Sequence, residues 1–323
     1  MIAGLILLIV ILSLILIKSA EMVIVAVRRI ARSITVGVFG VSAVILALGT
    51  SLPELFVGIT SALEGSPNLA FGVILGSNIA NTALVGGFAA LFVGKVLVHG
   101  EYLKRDVAIA LLAGISPMFL ALDKSISRVD GLILLMVYFA YTTGFFKRRY
   151  EEIGKEQAEE SFIYRVFKRF NHVNSERNKE FGRLFLGLAL LIFSADMIVK
   201  FSVNLAELAN IPLFLVGLFI LAIGTSLPEL AFSIRSLEDH EPSMFFGNIL
   251  GSIIANSTLI VGVTTLISPV NLIAFDEYLV ASIFFLIIFS LFWFFIRSKH
   301  KLERWEAGLL IILYIIFAIV EFV

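Results

Sequence analysis

The sequence contains no cysteine. Disulfides, thiolate nucleophiles and soft thiolate metal sites are therefore excluded, and nothing can be read about redox compartment. Charge is scarce too. Only 15% of residues are Asp, Glu, Lys or Arg, and they balance to a formal net charge of zero. So few charges cannot clothe a soluble domain of 323 residues, and zero net charge gives no electrostatic case for nucleic-acid binding. The histidines, His99, His172, His240 and His300, all lie outside the long apolar runs. That argues against a histidine-ligated transition metal or a histidine proton relay at membrane depth. Apolar residues are what the chain has in abundance: 59% of the total, with a mean hydropathy of +1.00. An all-α integral membrane protein is the expected fold class.

A bilayer core is spanned by roughly 20 mostly apolar residues per helix. Ten such segments are expected, at 2–27, 36–63, 69–94, 105–123, 128–146, 181–203, 212–237, 243–268, 276–297 and 305–322. The stretch 147–180 is dense in charge and reads as a solvated loop with at most one amphipathic helix. It holds no EF-hand loop and is too short for a dedicated Ca²⁺-binding domain.

Internal repetition is the strongest signal. ALGTSLPEL at 47–55 recurs as AIGTSLPEL at 222–230, ILGSNIAN at 74–81 as ILGSIIAN at 249–256, and SAEM at 19–22 as SADM at 194–197. All three matches share one register, an offset of 175 residues. The third match assigns the first apolar segment to the fold; without it, residues 2–17 would read equally well as a signal peptide. Each repeat holds five segments. An odd number makes the second unit enter the membrane from the opposite side, so two inverted five-helix repeats are expected. Residues 1–146 form the first repeat, 147–180 the intervening loop and 181–323 the second repeat.

Loop charge sets the expected orientation. Odd-numbered loops carry Arg28, Arg29 and Arg32; Lys95, Lys104 and Arg105; Lys147, Arg148 and Arg149; Arg235; and Arg297, Lys299, Lys301 and Arg304. Even-numbered loops offer Lys124, Arg128 and, near one of them, Lys200. The odd loops, including 147–180, are then cytoplasmic and both termini lie outside the cell membrane.

Ionisable groups at membrane depth cost at least about 2.5 kcal/mol each on insertion scales. Glu54 and Glu229 fall deep in the second and seventh segments, at matching repeat positions, each after GTSLP and with no Lys or Arg within a helical turn. One buried glutamate paired to a neighbour would be structural. Two in register, unpaired, mark a functional centre. Thr50 shares a helix face with Glu54, and Thr225 with Glu229; Ser51 and Ser226 lie alongside. Pro53 and Pro228 each lack an N–H and clash with the carbonyl four residues back, at Gly49 and Gly224. The helices are expected to break there and to turn carbonyls near Ala47–Thr50 and Ala222–Thr225 toward a cavity. Ser77 with Asn81, and Ser252 with Asn256, add hydroxyl and amide oxygens at i, i+4. Gly72, Gly76, Gly247 and Gly251 permit close helix approach. Asn256-Ser257-Thr258 has the form of a glycosylation site, but at membrane depth it is a false match. All these donors are hard oxygens. They suit Ca²⁺, which takes six to eight oxygens, or Na⁺, and suit Mg²⁺ less well.

GTSLPE followed by GSNIAN, repeated as GTSLPE and GSIIAN, closely resembles the α-repeats of the Na⁺/Ca²⁺ exchanger family in the Ca²⁺/cation antiporter superfamily. The resemblance implies a ten-helix exchanger that is not an enzyme, needs no cofactor and carries Na⁺ and Ca²⁺ at four positions between helices two, three, seven and eight. It implies that Glu54 and Glu229 hold Ca²⁺ with oxygens of Thr50 and Thr225. It further implies Na⁺ contacts from Ala47, Ser51, Ser77, Asn81, Ala222, Ser226 and Ser252, and a sliding gate of helices one and six. Many prokaryotic and K⁺-dependent relatives carry Asp where this chain has Asn256. The site then bears two negative charges, which argues against K⁺ dependence.

The expected activity is Na⁺/Ca²⁺ antiport by a monomer, through alternating access. The alternative is H⁺/Ca²⁺ antiport, although the acidic second motif of the proton-coupled branch is absent. A cation channel is a weaker reading, because inverted repeats with broken helices favour a carrier. An intramembrane enzyme lacks its motifs here. Glu21 and Asp196 either line the gate or pair with Lys18 and Lys200; pairing is the expectation.

Overall fold

The computed structural model describes residues 2–33, 50–97, 102–153, 175–240, 242–299 and 301–322. In chain order the helices are α1 (Ile2–Ser33), α2 (Leu52–Leu63), α3 (Pro67–Val93), α4 (Tyr102–Leu120), α5 (Arg128–Ile153), α6 (Ser175–Ala209), α7 (Leu213–Glu238), α8 (242–267), α9 (Phe275–Lys299) and α10 (Arg304–Glu321). Seven of these, α1, α3, α4, α6, α7, α8 and α9, are long and apolar enough to cross a membrane. α2 is apolar but shorter; the rest of the segment expected at 36–63 lies outside the described residues. α10 carries Arg304, Glu306 and Glu321 within its single 18-residue length.

The expected loop at 147–180 is corrected at both ends. α5 continues to Ile153 and α6 begins at Ser175, so only 154–174 remains, and those residues lie outside the described set. α6 stops where Asn210 adopts a left-handed φ of 53° and Pro212 follows; both end a helix for steric reasons.

Four short strands tie the helix ends together. β1 (Lys95–Leu97) pairs antiparallel with β4 (Lys301–Glu303), and β2 (Ser125–Ile126) with β3 (Val270–Asn271). α4 separates β1 from β2, and α9 separates β3 from β4. At 1.5 Å per residue, each helix puts roughly 30 Å between the two strand pairs. The connections after α3 and α9 therefore meet at one face of the bundle, and those after α4 and α8 at the other.

The apolar interior has two parts. The larger is built from α3, α4, α5, α7, α8, α9 and α10, with Phe285, Phe289 and Phe292 fully enclosed at its heart. The smaller joins α1 to α6 through Ile9, Leu16, Leu191, Ala195 and Ile198, and reaches α2, α3 and α7 through Val57, Leu69 and Val216. Leu7, Leu14, Phe185 and Phe193 on the outside of that pair are exposed, as expected of side chains that meet lipid tails.

α3 is the most enclosed long helix, with 94% of its apolar window buried. Glycine lets it press on α7. A Cβ at Gly72 would run into the Phe214 carbonyl, and one at Gly76 would sit 2.6 Å from Ala222 Cβ. Gly217 answers from the α7 side against the Leu69 carbonyl. The same use is not made of Gly247, where an added Cβ would meet no atom within 4 Å.

Candidate functional site

The local backbone sets up the site. Both GTSLPE motifs bend at their serine. Ser51 has φ −88° and ψ 8°, and Ser226 has φ −83° and ψ −1°, values of the bridge region between helix and strand. The next helical stretches begin at Leu52 and Leu227, each with proline in its first turn, where its missing N–H leaves no hydrogen bond unmade. Glu54 and Glu229 thereby fall in a helical first turn, where the dipole favours negative charge. Neither serine hydroxyl caps its helix.

The break is tighter than expected. Ser226 N–H still donates to Ala222 O at 3.1 Å, and Thr225 Oγ1 donates to the same oxygen at 3.4 Å. Both lone-pair positions of that carbonyl are thus occupied, instead of opening to a cavity. Ala47 and Gly49 lie outside the described residues. Three π-helical segments flank the centre, at Asn81–Val85 in α3, Val216–Leu221 in α7 and Ala255–Ile260 in α8. Each is a one-residue widening of the helix, common at functional sites.

α2, α3, α7 and α8 bring the expected side chains together. Ser77 Oγ donates to Glu54 Oε1 at 3.5 Å and lies 3.3 Å from Thr225 Oγ1. Thr50 Oγ1 lies 3.5 Å from Ser252 Oγ. Thr225 also faces the Glu54 carboxyl, and Thr50 that of Glu229, each hydroxyl crossing from the other repeat. Both glutamates are fully buried, and their charges are close enough to repel.

The polar atoms that lack a partner define the centre. Among the described residues, Glu54 Oε2, both carboxyl oxygens of Glu229, Ser51 Oγ, Ser226 Oγ, Asn256 Oδ1 and both amide atoms of Asn81 are buried without a hydrogen bond. No ion pair reaches either glutamate among them. Most buried polar atoms in proteins are hydrogen-bonded, and each unpaired one costs about 1–3 kcal/mol. Oxygens dominate this unpartnered set, and oxygens are the donor type that hard cations take. It holds two carboxylates, and among the described residues no three His, Asp or Glu cluster; the other oxygens available there are neutral.

Two residues that the repeat comparison passes over hold this centre in place. Asn248, where the first repeat has Val73, accepts from Thr50 Oγ1 at 3.2 Å. Its own amide donates to Glu229 O and Ser233 Oγ, both at 3.4 Å. Asn78, where the second repeat has Ile253, donates to Ser257 Oγ at 2.7 Å and accepts from Asn256 Nδ2 at 3.2 Å. Buried asparagine in an apolar helix was the available signal.

In SAEM and SADM the polar side chains are engaged within their own helices. Ser19 and Ser194 donate to carbonyls of their own helices. Lys18 pairs with Glu21, and Lys200 with Asp196, each at 2.9 Å, which is the expected pairing. Asn256, Ser257 and Thr258 are all fully buried, as a false glycosylation match should be.

Fold and site together define a multi-pass membrane protein with an oxygen-lined acidic centre. The family model described as sodium/calcium exchanger protein matches residues 4–147 and 179–323. Sodium/calcium exchanger MaX1 of Methanosarcina acetivorans is 28% identical over 337 aligned positions, covering 95% of each chain. Inner membrane protein YrbG of Escherichia coli is 31% identical over 260 positions, covering 79% of this chain and 78% of its own. The solved structure of the sodium-calcium exchanger NCX_Mj soaked with 100 mM Na⁺ and 10 mM Sr²⁺ superposes with a TM-score of 0.62 at 26% identity, covering 98% of both chains. The chain belongs to the sodium/calcium exchanger family.

Proposed function

We propose that this protein is a secondary active antiporter that exchanges Na⁺ for Ca²⁺ by alternating access. The observation that carries this reading is the pair of fully buried carboxyls, Glu54 and Glu229, three of whose four oxygens have no hydrogen-bond partner among the described residues. Two carboxylates neutralise one Ca²⁺. Thr50, Thr225, Ser51, Ser226, Ser77, Ser252, Asn81 and Asn256 supply neutral oxygens for it or for several Na⁺. Ala47 and Ala222 enter as carbonyl ligands, and at Ala222 one hydrogen bond must give way first.

Coupling follows from desolvation. An empty site holds two mutually repelling charges, at least about 5 kcal/mol on insertion scales. It therefore resists enclosure, whereas a site filled by Ca²⁺ or Na⁺ does not. If more than two Na⁺ move per Ca²⁺, the membrane potential contributes about 2.3 kcal/mol per net charge per 100 mV. α1 and α6 pack mainly on each other, in the smaller apolar cluster that meets α2, α3 and α7, and in this proposal they slide as the gate.

The architecture we propose is ten transmembrane helices in two inverted repeats, 1–146 and 181–323, joined by the charged stretch 147–180, whose two ends continue α5 and α6. The strand pairs support it: β1 and its repeat counterpart β3 lie at opposite faces of the bundle. The β1–β4 face also carries Lys95, Arg297, Lys301 and Arg304, which favours the cytoplasm by the distribution of basic residues. Both termini are then external, and a monomer in the cell membrane suffices for transport.

Radiocalcium uptake into proteoliposomes, driven by a Na⁺ gradient or a pH gradient, tests the proposal. Uptake should follow Na⁺ and be lost in Glu54→Gln and Glu229→Gln. Uptake driven by the pH gradient alone would make the protein a proton-coupled exchanger instead, and unitary currents above carrier turnover would make it a channel.

A further inference from the structure

Asn256 poses a problem that a carboxylate would not. An amide has an acceptor end that attracts a cation and a donor end that repels it, so it serves as a ligand only if it is held the right way round. Asn256 stands one helical turn beyond Ser252, which touches Thr50, and is fully buried with Oδ1 unpartnered among the described residues. Its other end is committed, since Nδ2 donates to Asn78 Oδ1.

Reversing it would require both amides and the Ser257 hydroxyl to turn together, because Asn78 Nδ2 donates to Ser257 Oγ. The three side chains form a donor chain running one way, from Asn256 to Asn78 to Ser257, with every member at most 2% exposed. The Asn78 backbone is fixed as well, since Thr82 Oγ1 donates to its carbonyl at 2.8 Å. The second repeat has Ile253 at the corresponding place and so cannot make such a chain. The device exists only beside Asn256.

We propose that Asn78 is a positioning residue, which holds the Asn256 amide with its oxygen turned into the carboxylate site and so lets an uncharged side chain act as a cation ligand. The inference rests on reading Glu54 and Glu229 as the cation site. It assigns Asn78 no contact with the ion.

The test is a double-mutant cycle between Asn78→Leu and Asn256→Asp. It reads Ca²⁺ binding to detergent-solubilised protein by calorimetry, and the Na⁺ concentration that displaces half of the Ca²⁺. With Asn256 present, Asn78→Leu frees the amide to turn and should weaken Ca²⁺ binding about tenfold. With Asp at 256, either carboxyl oxygen can face the ion, and the same Asn78→Leu change should shift it less than about twofold. A packing role alone predicts equal losses in both backgrounds. Equal losses, or no loss in either, overturn the proposal. Asn78→Ala is read in the same cycle, should leucine prevent folding, with melting temperature recorded for each variant. Failure of the parent reading looks different: the unmodified protein would then bind no Ca²⁺ that Na⁺ displaces.

Discussion

Gly76→Ala tests whether the α3–α7 contact and the polar centre are one mechanical unit. The new Cβ would lie 2.6 Å from Ala222 Cβ, 2.8 Å from the Leu218 carbonyl carbon and closer still to its oxygen. Carbon atoms rest about 3.5–4.0 Å apart, so the helices must part locally by about 1 Å. None of these obstacles is the far end of a flexible side chain. Overpacking usually costs 1–3 kcal/mol, and an unyielding backbone places this case near about 3 kcal/mol, more than a hundredfold in the folded-to-unfolded ratio. The adjacent Ser77 reaches Thr225 at 3.3 Å and Glu54 at 3.5 Å, already at the outer limit of hydrogen bonding. A 1 Å shift breaks both contacts. Gly76→Ala should therefore melt several degrees lower in detergent, followed by intrinsic fluorescence, and bind Ca²⁺ more weakly. Gly247→Ala is the control, because its Cβ meets open space and alanine is the better helix former. Equal melting of the two variants would refute the packing argument. A lower melting temperature with unchanged Ca²⁺ binding would refute the mechanical link.

Glu54→Gln and Glu229→Gln each remove one of two buried charges. If that interaction is worth about 3 kcal/mol, each should reduce Na⁺-driven Ca²⁺ uptake more than a hundredfold while leaving the protein folded by size-exclusion chromatography. Asn248→Val installs the residue of the first repeat and removes three long hydrogen bonds. Thr50 can turn to Ser252, so the loss should be about 1–2 kcal/mol in unfolding experiments. Glu21→Gln and Lys18→Met break an ion pair whose side chains are 52% and 77% exposed. Uptake by either should stay within about twofold of the unmodified protein, because exposed pairs contribute little.

The sequence made the fold legible because a membrane helix advertises itself by length and apolarity, whatever its neighbours. Most described helix ends lie within a few residues of the segments read from hydropathy, except where a charged stretch continued as helix; the start of the segment expected at 36–63 lies outside the described residues. α5 runs to Ile153 and α6 starts at Ser175 because Lys, Arg and Glu are good helix formers. Hydropathy registers polarity and cannot register that. Glu54 and Glu229 were legible for a related reason: burying an acid is so costly that its presence in an apolar run is itself evidence. The engaged carbonyl of Ala222 was not. Proline announces a break without fixing its width, and here one turn residue, Ser226, absorbs all of it.

The repeat that made the glutamates conspicuous also hid the asparagines around them. Comparison at an offset of 175 retains what both halves share. At the two informative positions the partners are Val73 and Ile253, so Asn248 and Asn78 look like ordinary drift in an apolar helix. Their bonds explain why they need no counterpart. Asn78 of the first repeat grips Asn256 and Ser257 of the second, and Asn248 of the second grips Thr50 of the first. The Ser77–Thr225 contact recurs as Ser252–Thr50 because both partners recur, whereas the asparagine contacts are made once because Ile253 and Val73 cannot repeat them. Sequence symmetry therefore reveals the groups that face the centre, while the groups that lock the halves around it fall where the symmetry fails.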